Sequence, residues 1–288
     1  FLAQGTLRPD LIESGNPDVS TTAHKIKTHH NDVEMIRRAR DKGMVVETNW
    51  DWHKDEVRQV ARKLGIDEII ASRQPFPGPG LAIRTICYDG KGEVEQSTLD
   101  EFRKVISVLG NEYSGTVLPI KSVGVQGDFR SYRSLSLIWG MGMELDWGRV
   151  YKTGTELPNK VHSINRVAYV LNRERITFPL KCHELYINKH NLDLLREVDY
   201  LVTEALAHPP MSQVLAVLVP VGIENKLSIA IRTFVTNDFM TGRPAIIGKD
   251  INKDILSELV SKIDSFFSEI DLILYDVTSK PPATVEWQ

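Results

Sequence analysis

The chain has 288 residues, of which 42% are hydrophobic and 25% are charged. This composition is typical of a folded protein and excludes an intrinsically disordered or collagen-like chain, and the length predicts two compact domains. With 35 basic and 38 acidic side chains the net charge is −3, which provides no general attraction for nucleic acid or anionic lipid. Any anionic ligand must therefore be bound by a local group of cations.

The two cysteines and the apolar segments predict a cytoplasmic protein. Cys87 and Cys182 are far apart and form no CxxC or Cys/His spacing, so the sequence indicates neither a disulfide framework nor a structural zinc site. The longest apolar stretch, residues 214–223, is about half as long as a membrane span and contains Pro220. The first residues include no initiator Met and no basic leader, so the chain is expected to begin inside a domain.

The first quarter of the chain is predicted to be an α/β layer with parallel strands. Apolar positions at helical spacing predict a helix over residues 33–39 that ends at Gly43, and residues 44–47 are a short apolar strand. Asp51 is predicted to begin a second helix, which Gly65 ends. Strands and helices that alternate in this way favour a parallel sheet.

The segment Pro75–Gly80 contains three prolines and two glycines, which cannot continue a helix or an inner strand, so it is predicted to be a rigid connector. The predicted domains are therefore 1–74, a connector at 75–84, and two further regions at 85–210 and 211–288. The strands predicted beyond the connector are 117–125, 167–171, 214–221, 227–234 and 272–277, and the predicted helices lie near 99–109, 190–207 and 251–268.

The two regions beyond the connector are predicted to be tandem α+β subdomains, because they carry a faint internal repeat. The strings Ile164–Tyr169 and Ile270–Tyr275 are similar and fall at corresponding places in the two regions. Chance similarity between two β-rich stretches is the alternative explanation.

A polar loop near the start of the chain is a candidate for ligand binding. Lys27, His29 and His30 lie in this loop just before a helix, where a cation, two imidazoles and the helix N–H groups can hold a phosphate. A solvated loop is the simpler interpretation of this segment alone. The side chains of adjacent histidines diverge, so the pair indicates no metal site.

Two further segments carry charged residues and are candidates for ligand binding. Asp10 and Glu13 lie three residues apart on a predicted helix, so both carboxylates can face one Mg²⁺ ion or one ribose, or they are two surface acids. In the C-terminal tail, hydroxyls, Lys280 and Glu286 surround a Pro-Pro turn, which suits an anion with a polar partner. Trp287 predicts a docked tail, because an indole is rarely left in water.

General catalytic signatures are not found in the sequence. Val123–Asp128 is predicted to be a hairpin or bulge and not a phosphate loop. The sequence contains no GxxxxGK[ST], GxSxG or HExxH motif and no GxGxxG after a strand. The motifs alone therefore indicate only an anion-binding α/β protein.

Several segments, taken together, resemble the glutamine-hydrolysing GMP synthetase family over the whole chain. These segments are Phe1–Ser14, Lys27–Asn31, Lys54–Arg58, Pro75–Leu81, Val123–Asp128, Asp238–Thr241 and Lys280–Trp287. Because they occur in the family's order, the resemblance is specific, which no single segment would be. The stretch between Asp128 and Arg232 is longer than in the compact bacterial form and resembles the C-terminal portion of the eukaryotic form.

The resemblance implies an enzyme that uses ATP and Mg²⁺ to aminate xanthosine 5′-monophosphate (XMP) to GMP through adenylyl-XMP, with ammonia from a glutamine amidotransferase domain. Residues 1–74 resemble the later part of an ATP-pyrophosphatase (adenine nucleotide α-hydrolase-like) domain, and the rest resembles the dimerisation-type C-terminal domain. The family's pyrophosphate loop and amidotransferase are not in this sequence, so the chain alone is expected to be inactive. Two subdomains in one chain favour a monomer over a homodimer, and neither nucleic acid nor a membrane is an expected partner.

The resemblance also implies roles for individual residues. Lys27, His29 and His30 are expected to belong to a mobile catalytic lid, and Asp10 and Glu13 are expected to contact Mg²⁺ or ATP. The residues expected to contact XMP are Arg8, Gln213, Lys280, Thr284 and Glu286, with Lys280 at the 5′-phosphate.

Arg166 and Leu272 occupy matching positions in the two repeats. In dimeric relatives the arginine of this strand is expected to meet the neighbour's substrate phosphate, so Arg166 is expected to reach the phosphate held by Lys280. Leu272 stands where the family pattern has Arg, and Gly15 where some relatives have Lys, which leaves a degenerate nucleotide-binding or scaffolding protein as an alternative. Another ATP-pyrophosphatase, such as a tRNA-thiolating enzyme, would need a reactive cysteine pair or a basic RNA-binding face, and the sequence favours neither.

Overall fold

The computed structural model describes residues 1–13, 33–72, 80–126, 129–140, 145–177, 179–236 and 241–288. The chain divides into two compact units, each of which is described separately below. The first unit comprises residues 1–74 and 127–129, and the second comprises residues 75–126 and 130–288.

The first unit contains a small parallel sheet. Strands β1 (Leu2–Gln4) and β2 (Val45–Glu47) run parallel, with Ala3 opposite Val46. The helices of this unit are α1 (Arg8–Glu13), α2 (Glu34–Asp41), α3 (Lys54–Lys63) and α4 (Glu68–Ala71). The parallel pairing confirms the arrangement predicted from the alternation of strands and helices.

The ends of α2 and α3 follow the predicted chemistry, whereas the start of α3 does not. Gly43 and Gly65 come two residues after these helices and have φ values of +65° and +76°, which suit the left-handed cap that glycine favours. The prediction that Asp51 begins α3 is wrong. The residue that precedes the helix is His53, whose N–H donates to the Glu56 carboxylate at 2.7 Å, so the acid inside the first turn provides the cap.

The second unit is built on one mixed six-stranded sheet with the strand order β3-β4-β5-β10-β9-β7. Its strands are β3 (Ser114–Gln126), β4 (Phe129–Trp139), β5 (Ile164–Val170), β7 (Gln213–Val219), β9 (Leu227–Phe234) and β10 (Ile270–Asp276). The short strands β6 (Lys181–Cys182) and β8 (Val221–Gly222) pair with each other outside this sheet. The helices are α5 (Gln96–Ile106), α6 (Trp147–Lys160), α7 (Lys189–Leu206) and α8 (Lys253–Phe266), and short 3-10 turns cover Gly80–Arg84 and Ser107–Leu109.

The two halves of this sheet repeat one order of elements: helix, strand, strand, helix, strand. The first half is α5, β3, β4, α6 and β5, and the second is α7, β7, β9, α8 and β10. Strands β5 and β10 pair antiparallel at the centre of the sheet, where Tyr169 lies opposite Tyr275. The similar strings Ile164–Tyr169 and Ile270–Tyr275 belong to these central strands, so the repeat visible in the sequence lies on both sides of an approximate twofold axis.

The helices of both halves pack on one face of the sheet and share one hydrophobic core. Phe102 and Val150 of the first half and Leu195 and Ile263 of the second are at most 1% exposed and belong to one cluster. A second cluster fills the opposite face, where Trp287 packs against the strands. Because successive side chains of a strand point to opposite faces, the strands supply residues to both clusters and read as continuous apolar runs.

Cys87 and Cys182 are both free thiols, and burial raises the pKa of Cys182 to about 12. Its nucleophilic thiolate is therefore scarce at neutral pH.

Across the described ranges of the chain, none of the helices has the length and apolar character that a bilayer crossing demands.

Candidate functional site

The C-terminal tail, residues 277–288, follows β10 and packs on the sheet face that the helices leave open. The N–H of Val123 donates to the carbonyl of Trp287 at 2.9 Å, and the N–H of Val125 donates to that of Pro282 at 2.7 Å. The Trp287 side chain is 1% exposed. The tail is docked, as the sequence predicted from Trp287.

Arg166 on β5 lies beneath this tail and has no exposed surface. Its Nη2 donates to the carbonyls of Glu286 at 2.9 Å, Thr284 at 3.1 Å and Val123 at 3.2 Å. Its guanidinium also lies over the Trp287 ring, with Cζ 4.5 Å from the ring centroid. The wholly buried side chain therefore anchors the tail to the sheet, and its predicted contact with the substrate phosphate stays a prediction.

A second buried arginine shares the counter-ion of Arg166. Nη1 of Arg166 lies 2.6 Å from Asp276 Oδ2, and Nη1 of Arg232 lies 3.2 Å from Asp276 Oδ1, and all three side chains are fully buried. Burial lowers the pKa of Arg166 to about 10; the Asp276 charge opposes this shift and the Arg232 charge adds to it. Arg166 thus remains charged at neutral pH, and two arginines share the one Asp276 carboxylate beneath the tail.

Lys280 and Gln213, two of the predicted contacts, both lie beside Phe234. The half-buried Lys280 side chain places Nζ 6.0 Å from the centroid of the Phe234 ring. Gln213 lies directly opposite Phe234 in the antiparallel register of β7 and β9, so both side chains point to the same face. Gln213 is 3% exposed, and within the described part of the chain its Oε1 has no hydrogen-bond partner. Such a buried acceptor is costly unless a ligand or solvent satisfies it.

Gly242 holds the backbone of Lys280 in place. Its N–H donates to the Lys280 carbonyl at 3.0 Å, and the Lys280 N–H donates to the Gly242 carbonyl at 2.8 Å. An ideal Cβ atom built on Gly242 would lie 2.3 Å from Cζ of Phe234, far inside van der Waals contact. Only glycine therefore lets this segment lie against Phe234 while it pairs with Lys280.

Thr284 and Glu286 have distinct places in the tail. Thr284 is 8% exposed, and its hydroxyl donates to the Val123 carbonyl at 3.2 Å and also bonds to the Glu286 carbonyl. The Glu286 side chain is half-buried, and its negative charge acts on the Arg166 guanidinium. Thr284 thus fixes the path of the tail, whereas Glu286 presents a carboxylate beside the cationic cluster.

The predicted site residues of the first unit lie on or near α1. Arg8 Nη1 lies 3.6 Å from Asp51 Oδ1 in an exposed ion pair. Asp10 Oδ2 accepts the N–H of Leu7 at 2.9 Å, so this carboxylate caps its own helix. The Glu13 side chain lies outside the described residues. In the parts of the chain that the structure covers, no three His, Cys, Asp or Glu side chains are close enough to hold a metal ion, and the Mg²⁺ assignment stays a prediction.

Several predicted site residues, and part of the predicted connector, lie outside the residues that the structure describes. Lys27, His29 and His30 lie between residues 13 and 33, as does Gly15, so their assignment to a lid stays a prediction. Of the predicted connector at 75–84, the structure describes residues 80–84, which form a 3-10 turn.

Leu272 is explained by packing. It is fully buried in the apolar cluster beneath the tail. Arg166 lies opposite Leu135 on β4 and Leu272 lies opposite Ser228 on β9, in each case just after a register shift, so the two residues are structural counterparts. An apolar residue at this position therefore fits the core.

Sequence reasoning missed Arg232, Asp276, Phe234 and Gly242. Asp276 follows Tyr275 directly, and successive side chains of Arg232-Thr-Phe234 point to opposite faces of β9. A charged residue inside an apolar strand was the signal by which Arg232 and Asp276 could have been found. A charge that must be buried requires a partner, and here the partners come from three different strands.

The comparisons with known proteins point to one family. Residues 202–287 match the family model described as GMP synthase C terminal domain. A glutamine-hydrolyzing GMP synthase of Dictyostelium discoideum is 37% identical over 333 residues, covering 100% of this chain and 46% of the relative. Probable GMP synthases of Caenorhabditis elegans and Leptospira interrogans are 33% and 35% identical, each over 100% of this chain and over 48% and 47% of the relative.

The chain spans about half the length of these curated relatives. Matches over the whole chain come from two eukaryotes and from a bacterium. The longer form that the sequence suggested is therefore not restricted to eukaryotes.

Proposed function

We propose that this chain, which is related over its full length to the C-terminal portion of GMP synthases, binds XMP at its docked tail and takes part in the ATP-dependent amination of XMP to GMP. The observation that carries the proposal is the position of both Lys280 and Gln213 beside Phe234, on a sheet face where buried arginines hold the tail. XMP is a dianion at its phosphate and offers N–H and O–H donors at its base and ribose. A lysine, an unpartnered amide oxygen and a carboxylate match those three kinds of group.

Electrostatics support a phosphate at Lys280. The ammonium of Lys280 is a compact cation on a flexible stem, which suits a dianion that arrives from solvent. The excess positive charge of the Arg166, Arg232 and Asp276 cluster lies under the same tail and is screened little by water. The buried cluster therefore adds to the attraction for an anion without touching it.

The proposed reaction divides into two displacements. The C2 oxygen of XMP attacks the α-phosphate of ATP and releases pyrophosphate, which gives adenylyl-XMP. Ammonia from glutamine then attacks C2, loses a proton, and AMP departs with the C2–O bond electrons. The contribution of the tail is to hold XMP in one orientation while both steps occur.

We assign the nucleotide end of the reaction to the first unit as a proposal. Mg²⁺ in nucleotide sites is bound by one or two carboxylates together with substrate phosphates, so the Asp10 carboxylate fits such a role, with Glu13 as its partner. When bound, the ion would neutralise charge that builds on the departing pyrophosphate. Arg8 is proposed to contact XMP, and Lys27, His29 and His30 are proposed to form the lid.

We also propose the domain layout that the resemblance implies. Residues 1–74 would be the later part of an ATP-pyrophosphatase domain, 75–84 the connector, and 85–210 and 211–288 the two subdomains. By the order of elements, α7 (Lys189–Leu206) at the end of the range 85–210 belongs with the second repeat. The antiparallel pairing of β5 with β10 joins two equivalent halves as an isologous dimer interface would, which supports a monomer.

The Lys280→Ala variant tests the proposed function. Loss of one charge-assisted bond is expected to weaken XMP binding by about 1.5–3 kcal/mol, or roughly 10- to 150-fold in Kd, and to spare ATP affinity. Isothermal titration measures both nucleotides. Lys262→Ala is the matched control, because Lys262 is an exposed lysine on α8 that pairs with Glu258. An unchanged XMP affinity in Lys280→Ala would remove the tail site from the function.

The Gly242→Ala variant tests whether the Lys280 backbone must be held. The added Cβ collides with Phe234, so we expect a loss of about 1–3 kcal/mol in the free energy of unfolding and a weaker affinity for XMP. Denaturant titration and calorimetry give the two values. Gly5→Ala is the control, because the described atoms leave open space around that position. Normal XMP affinity in a destabilised Gly242→Ala protein would show that Gly242 supports the core and not the site.

A further inference from the structure

The approximate twofold axis gives the tail site a counterpart on the other half of the sheet. In both halves the central strand shifts register at one polar residue, Asn165 in β5 and Asp271 in β10. Each of these residues lies close beneath a glycine: a Cβ on Gly124 would be 2.6 Å from Asn165 Cγ, and one on Gly222 would be 3.3 Å from Asp271 Cβ. Gly222 is thus the structural counterpart of Gly124, and the tail docks along Val123–Val125.

The tail itself also has an equivalent. The segment after β5 pairs Lys181 with Gly222 and Cys182 with Val221, and the N–H of His183 donates to the Pro220 carbonyl at 2.9 Å. In the first copy of this arrangement the tail pairs in the same way with the end of β3. A cleft between a post-strand segment and a turn therefore occurs twice in the second unit.

The second cleft holds a cavity of about 210 Å³ that carries three cations. Its lining consists of Arg173, Arg175, Thr177, Ile223, Glu224, Lys226 and Asp271. Two of the lining residues are acids, so the cations are in excess. The volume admits a phosphate group but is smaller than the pockets that usually enclose a whole drug-sized ligand.

The acids of the cavity differ in what they do. Asp271 is buried and fully engaged: Oδ1 lies 2.5 Å from Arg173 Nη2, and Oδ2 accepts the N–H of Ile223 at 2.7 Å. It therefore fixes Arg173 and the turn, and its charge is already compensated. Glu224 is exposed, with φ of +55°, and is the one lining acid without such a partner among the residues described.

Two of the cations are available to a ligand. Within the described residues, neither Arg175 nor Lys226 forms an ion pair, and both side chains are exposed at the cavity. Arg173 keeps a side-chain exposure of 41% although it bonds to Asp271. Guanidinium and ammonium groups that converge on one small cavity are the arrangement that binds phosphate oxygens.

We propose that this cavity is a second anion site, distinct from the tail site, that binds the phosphate group of a free phosphate or of a nucleoside monophosphate. The site stands on its own cations and geometry and does not require the tail to bind XMP. Arg175 and Lys226 contact the phosphate oxygens, Arg173 is held in position by Asp271, and Glu224 weakens the interaction by its charge. The twofold relation explains why a cleft of this shape exists at this place.

The experiment follows the backbone amide signals of Glu224 and Asn225 by NMR while inorganic phosphate, or XMP, is added to the protein. Both amides are expected to shift saturably, and the Arg175→Ser/Lys226→Ser variant is expected to raise the Kd at this site at least about tenfold. Glu224→Gln is expected to lower the Kd. The control is Lys91→Ser/Lys104→Ser, which removes two exposed cations elsewhere and should leave the shifts unchanged.

Lys280→Ala separates this proposal from the proposed function. It should weaken XMP binding at the tail by the roughly 10- to 150-fold expected above and leave the shifts of Glu224 and Asn225 intact, so either site can fail without the other. Similar affinity for phosphate and XMP would identify a free-phosphate site, and at least tenfold tighter XMP would identify a nucleotide site. Absence of saturable shifts with both ligands, or an equal loss in the Lys91→Ser/Lys104→Ser control, would overturn the proposal.

Discussion

Replacement of Arg166 with methionine is expected to lower the free energy of unfolding by about 3–5 kcal/mol, the usual cost of breaking a buried ion pair from one side. Methionine fills much of the space but cannot donate hydrogen bonds. Among the described residues, Asp276 would keep only Arg232 as a cationic partner. The carbonyls of Thr284 and Glu286 would lose the donor that ties them to the sheet.

The loss should extend from stability to ligand binding. The tail carries Lys280 and Glu286, and Arg166 is one of the groups that fixes its path. We therefore expect Arg166→Met to weaken XMP binding through the loss of this anchor. Chemical denaturation gives the first effect, and titration with XMP at a temperature where the variant is folded gives the second.

Matched variants distinguish an anchor from a general loss of charge. Arg196→Met removes an exposed arginine that pairs with Asp193 on α7, and it should change stability by less than about 1 kcal/mol. Arg166→Lys should recover little, because lysine lacks the planar fork that serves Asp276 and the tail at once. If Arg166→Lys behaved like the unchanged protein, the role given to the fork would be incorrect.

The strands of the second unit could largely be predicted from the sequence, because their apolar runs reflect burial on both faces. The runs near 214–221, 227–234 and 272–277 became β7, β9 and β10. Strand β4 was missed, because the first half of its sequence is mostly polar and contains no apolar run. Helix α6 was missed because it contains Gly154 and Pro158, which normally argue against a helix. Gly154 is explained by packing: a Cβ there would lie 2.3 Å from the Val277 carbonyl oxygen.

The candidate site was harder to predict, because burial of charge depends on tertiary contacts. Arg166 lies in an apolar strand, and from its neighbours in sequence it could equally contact a ligand or a partner inside the protein. Only the fold shows that Asp276 and the tail carbonyls meet it. Lys280 and Gln213 were predicted from a family resemblance, and the position of Gln213 beside Phe234 depends on the register of β7 and β9.

Deletion of Thr284–Gln288 is expected to have the second large effect. Trp287 and Val285 belong to the apolar cluster on the tail face, and loss of a buried Trp alone costs about 3–5 kcal/mol. The deletion also removes Glu286 from the proposed XMP site and frees the end of the segment that carries Lys280. We expect XMP binding to fall below detection in the truncated protein, whereas most tail truncations are harmless.

A double-mutant cycle connects this deletion with Arg166. If Arg166 acts through the tail, Arg166→Met should cost less in the truncated protein than in the full chain, by about 0.5–3 kcal/mol of coupling. The destabilisation that Arg166→Met still causes in the truncated protein is the part that Arg166 contributes through Asp276 and Val123, which the deletion leaves in place. Thr284→Val, which removes one hydroxyl from the intact tail, supplies a milder partner for the cycle should the truncated protein fail to fold. Strictly additive effects in both cycles would mean that Arg166 stabilises the sheet independently of the tail.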